Sequence, residues 1–94
     1  MSTEEPPVPP PLVLVVWEDA KVVDSSPWAE NKGHEYKAHM VHQVGFLLAH
    51  TDQGVILTQA WHPETVAARD QIPIGMVRSM TLLKAAPVPA KRKR

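Results

Sequence analysis

An all-β fold, a small and strongly bent antiparallel barrel of four or five strands, is what this sequence predicts, on three observations. The stretch VGFLLAHTDQGVILTQAW, residues 44–61, holds two apolar runs of period two, separated by Thr51-Asp52-Gln53-Gly54. Period two sends alternate side chains to opposite faces of a strand, and β-branched and apolar residues fit a pleated surface. Residues 12–17 (LVLVVW) and 76–83 (MVRSMTLL) alternate in the same way. Only residues 62–70 carry a helix-compatible pattern, and that segment is short.

Taken in order, residues 12–23 form the first strand, broken or bent around Glu18-Asp19-Ala20. Asp24-Ser25-Ser26-Pro27 ends it with turn-forming residues and a proline that cannot donate. A long loop follows through Tyr36, and the second strand enters over 37–43 and runs to His50. Asp52 can bond its own downstream backbone, and Gly54 can take the positive φ that closes a short hairpin. Both faces of that hairpin are largely apolar, so it is expected mid-sheet and covered on both sides. After it comes the one helix-like segment, with Pro63 at a first helical position and Glu64 at the positive end of the dipole. Residues 71–74 read as a strand with Pro73 at an edge or at its start, Gly75 permits a bend, and residues 76–83 complete the sheet. Short strands, one long first loop and a tight penultimate turn match a barrel of the SH3-like or Sm-like kind.

Five of the ten prolines lie in the first eleven residues, and the chain ends in Lys91, Arg92, Lys93 and Arg94. Residues 1–11 and 85–94 are therefore expected to be disordered tails around a domain at 12–84. That domain carries six Lys/Arg against eight Asp/Glu, a net −2, so the neutral total depends on the basic tail. A basic face for nucleic acid is not visible. No cysteine is present, which excludes disulfides and Cys-based metal sites. A domain this small is often marginal alone, so self-association is an expected source of buried area. No apolar run approaches the ~20 residues that span a bilayer, and a soluble intracellular protein with no membrane partner is expected.

Val15-Val16-Trp17-Glu18-Asp19-Ala20, Trp28, Val44-Gly45-Phe46-Leu47-Leu48, Leu57-Thr58-Gln59-Ala60 and the segment 72–80 (IPIGMVRSM) together resemble a family of small, mostly uncharacterised proteins of tailed phages and prophages. The resemblance covers nearly all of 12–84. It implies a compact β-barrel and a phage origin, with the host cytoplasm as the expected location, and it transfers no catalytic residues.

His34, His39 and His42 invite a metal reading, but residues three apart fall on opposite faces of a strand, and solvated histidines are favoured over a site. No metal or cofactor is expected. Nor is catalysis: there is no cysteine nucleophile, no phosphate loop and no serine with an adjacent base. Trp17 and Phe46 are expected in the core, and Trp28 as a lid over the barrel. Trp28, Tyr36, Trp61 and His62 are the candidate partner-binding residues, with Trp61 the best exposed aromatic. Lys91–Arg94 could hold phosphates weakly. The sequence thus favours a non-enzymatic, self-associating phage accessory module that occupies a host protein or a small polyanionic ligand, with an anti-defence role by analogy. Two alternatives stand beside it: an Sm-like nucleic-acid binder and a small structural part of the virion.

Overall fold

Alternating apolar residues produce five strands in a computed structural model that describes residues 7–21, 23, 24 and 26–84. They are β1 (Leu12–Asp19), β2 (His39–His50), β3 (Gly54–Trp61), β4 (Val66–Pro73) and β5 (Val77–Leu82), with one 3₁₀ turn at Ile74–Met76. All pairings are antiparallel, in the order β4-β3-β2-β1-β5. The fold is all-β, as the alternation predicted. β4 and β5 are the two edges of the sheet, and among the described residues no ladder joins them.

Register explains the core. Paired residues share a face, and Val13 and Val15 pair with Gly45 and Gln43 across β1/β2 and with Leu82 and Met80 across β1/β5. Val55 pairs with Ile72, and Leu57 with Leu47 on one side and Asp70 on the other. Val13, Val15, Val55, Leu57 and Ile72 are buried on this inner face, and Trp17, Leu47, Met76, Val77 and Met80 pack against them. Each such aliphatic side chain contributes about 1.5–3 kcal/mol on burial.

The long strand β2 makes the bend. It follows β1 from Asp19↔His39 to Leu12↔Phe46, but it meets β3 only from Phe46↔Thr58 onward. Gly45 stands where the two pairings hand over. A Cβ there would lie 3.0 Å from the Thr58 carbonyl oxygen and 3.2 Å from Leu57 Cβ, so the close approach of β3 leaves little room for a side chain. A register shift between Leu47 and Ala49 increases the local bend.

Several expectations are corrected. The helix-like segment is instead a hairpin and a strand. His62 and Thr65 exchange backbone bonds of 2.9 and 3.3 Å around Pro63-Glu64, and Val66–Pro73 pairs with β3 along its length. Helix propensity at Ala67-Ala68-Arg69 is a weak bias, and burial of Ile72 against Val55 overrides it. The cost appears at Ala68, whose φ of 55° is left-handed. In the β2–β3 hairpin the Thr51 hydroxyl, rather than Asp52, accepts from the Gln53 N–H at 3.1 Å. Gly54 does not take a positive φ. It is needed because a Cβ would meet the Ile72 carbonyl oxygen at 2.3 Å. Strand β1 ends at Asp19, and among the described residues it does not resume over 20–23.

The outer face is not covered as expected. Leu12↔Phe46, Leu14↔Val44 and Val16↔His42 are paired there, opposite the core. Phe46 is half-buried on that face and is not a core residue, whereas Trp17 does pack on the core. Trp28 is 88% exposed and forms no lid. Pro11 is tied to the sheet by accepting from the Leu47 N–H at 2.8 Å. The tail expected at 85–94 and residues 1–6 of the other tail lie outside the described residues.

Candidate binding groove

Because β2 parts from β3 below Phe46, a groove opens between the first half of β2 and the β3–β4 hairpin. Its volume is about 380 Å³, and Trp17, Gln43, Val44, Gln59, Asp70 and Gln71 are among its lining residues. A chain of side-chain hydrogen bonds crosses it. Trp17 Nε1 donates to Gln43 Oε1 at 3.1 Å, and Gln43 Nε2 donates to Asp70 Oδ2 at 2.6 Å. One amide thus joins β1, β2 and β4 on the inner face, where Gln43 pairs with Val15 and Asp70 with Leu57. The bond to Asp70 is charge-assisted, the stronger kind.

The upper wall is open. Val44, which lines the groove beside His42, is 52% exposed, and Met40, further along β2, is 38% exposed. They flank His42 on the outer face, since residues two apart on a strand share a face. Among the described residues the groove's only lining residue with a fixed charge is Asp70, so an anionic ligand would be repelled. Elsewhere on the sheet, Glu18 accepts from Arg78 at 2.9 Å, and the same guanidinium donates to the Gly75 carbonyl at 2.7 Å. That pair consumes the carboxylate that adjoins Asp19 in sequence.

Of the residues singled out from sequence, Trp17 and His42 line this groove, and the candidate binding residues Trp28, Tyr36, Trp61 and His62 do not. Trp28 and Tyr36 lie exposed in the long loop, at 88% and 76%. Trp61 is half-buried at the end of β3, and its neighbour His62 uses Nδ1 to accept from the Glu64 N–H in the hairpin turn. His39 and His42 stand on β2, and His34 bonds Asn31 in the loop. Among the described residues no group of three or more His, Cys, Asp or Glu is placed to hold a metal ion. Lys91–Arg94 lie outside the described residues. Sequence reading missed Gln43 and Asp70: a lone amide and a lone acid 27 positions apart carry no motif. The available signal was Gln43 itself, a polar residue on the face that Val41 and Gly45 share.

No protein family, no curated protein and no solved structure matches this chain. Among the described residues no helix is long and apolar enough to cross a membrane.

Proposed function

We propose that this chain is a non-enzymatic binding module, a phage-type accessory protein whose bent sheet approaches an SH3-like or Sm-like barrel and which acts by occupying a host protein. The observation that carries the reading is the groove itself, bordered by the exposed Val44 and crossed by Trp17, Gln43 and Asp70. Its polar groups are held in mutual hydrogen bonds, which suits recognition. A protein partner is favoured over a small polyanion, because the groove offers a carboxylate and no fixed cation. The same feature disfavours the nucleic-acid reading, whose affinity must come from Lys/Arg contacts to phosphates. Self-association, through the uncovered outer face around Leu12, Val16 and Phe46, belongs to the same proposal.

The test is affinity purification of the tagged full chain from the bacterial host, with mass spectrometry of what accompanies it and sedimentation of the purified product. A protein present in stoichiometric amount, and lost on Asp70→Arg, is expected. Recovery of nucleic acid instead, or of no partner, would overturn the reading.

A further inference from the structure

Backbone register shows what the groove presents. The Leu47 N–H donates to the Pro11 carbonyl at 2.8 Å, and the Leu83 N–H to the Leu12 carbonyl at 2.9 Å. In an antiparallel ladder the hydrogen-bonded pairs alternate. The residues of β2 that exchange bonds with β1 are therefore Val41, Gln43 and Gly45, paired with Trp17, Val15 and Val13, while Leu47 donates to Pro11 just before the strand. The N–H and C=O groups of Met40, His42 and Val44 point the other way. That side of β2 has no partner strand, because β3 joins only at Phe46↔Thr58. The sheet thus contains an interior free edge, opening into the groove.

Resting on the binding-module reading, we infer that this edge takes an extended peptide segment of another protein, added as a strand antiparallel or parallel to the first half of β2. Main-chain bonds to Met40, His42 and Val44 hold it, and its alternate side chains pack on Met40 and Val44. The preferred segment is apolar at alternate positions and carries a lysine or arginine toward Asp70, the one fixed charge in the groove lining. The other two edges of the sheet are guarded. β4 is kinked by the left-handed Ala68 and ends in Pro73, which has no N–H, and β5 has six residues with Arg78 turned back onto Gly75. The β2 edge has neither proline nor kink. Those guarded edges also make a second copy of this chain a poor donor of the added strand.

The test uses a displayed library of random seven-residue peptides, panned against the full chain. Selected peptides are expected to lack proline centrally, to alternate apolar residues and to be enriched in lysine or arginine. Val44→Pro removes a donor that faces the groove without touching the bonds to β1, and should weaken the selected peptides tenfold or more. Met40→Glu combined with Val44→Glu, which keeps the backbone intact, should do the same should the proline variant fail to fold. Methylating alternate peptide nitrogens should abolish binding in one phase of alternation and spare it in the other. An empty selection, or peptides indifferent to all these changes, would overturn strand addition. A host partner retained by Val44→Pro would leave the module reading standing alone. Peptides matching the chain's own β4 or β5 would identify a second copy as the occupant and overturn the assignment to a foreign segment.

Discussion

Gln43 on β2 and Asp70 on β4 are hydrogen-bonded at 2.6 Å although β3 lies between their strands in the sheet. Only a bent sheet brings them together, so the bond reports the curvature directly. Gln43→Ala removes it, and also leaves Trp17 Nε1 without its acceptor. A loss of about 1–2 kcal/mol is expected in urea unfolding. Asp70→Ala should cost less, because it spares the bond to Trp17. Equal losses from both, with no coupling in the double mutant, would show that the two bonds do not act as one chain.

Gly54 and Gly75 form a matched pair for testing packing. A Cβ on Gly54 would sit 2.3 Å from the Ile72 carbonyl oxygen, whereas one on Gly75 meets nothing within 4 Å. Gly54→Ala should destabilise by about 1–3 kcal/mol, as overpacking does. Gly75→Ala should stay within about 0.5 kcal/mol, as at an open surface site. Thermal melts separate them, since 1 kcal/mol moves the midpoint of a domain this size by roughly 4–8 °C.

Core and outer face should differ in the same experiment. Leu57 is 1% exposed in the core, and Leu57→Ala is expected to cost about 2–5 kcal/mol. Phe46→Ala should cost less despite the larger ring, because that ring is half-buried on the uncovered face. Should Phe46→Ala prove the more damaging, the outer face is covered in solution. A loss that grows with protein concentration would point to a second copy as the cover.

Ala68 holds φ 55° inside β4. Glycine adopts that conformation without the cost of roughly 1–2 kcal/mol that an L side chain bears, but it loses about 0.4–1 kcal/mol through the unfolded chain. Ala68→Gly should therefore be neutral to slightly stabilising, and Ala68→Val clearly destabilising. A marked loss on Ala68→Gly would contradict the left-handed backbone.

Much of the architecture was legible because alternation is a local signal. Val13/Val15, Val55/Leu57 and the turn at 51–54 identify strands and a hairpin without reference to the rest of the chain. Two things were not. Residues 62–70 suit a helix by local propensity, and only their pairing with β3 makes them a strand. Phe46 and Val44 alternate like core residues, but which of two apolar faces is inside depends on how the sheet bends. The bend rests on Gly45 against Thr58, a contact between residues with no pattern linking them. The groove was illegible for the same reason: it is made where β2 changes partners, and Gln43 and Asp70 meet there only after the sheet has curved.

The free edge of β2 is what opens the groove to an added strand, and amide hydrogen exchange read by NMR tests it most directly. Along His39–Gly45 the amides should alternate. Val41, Gln43 and Gly45, bonded to β1, should be protected, and Met40, His42 and Val44, facing the groove, should exchange much faster. Uniform protection of all six would mean that another strand already occupies that edge, and would contradict the account of the groove as an open site.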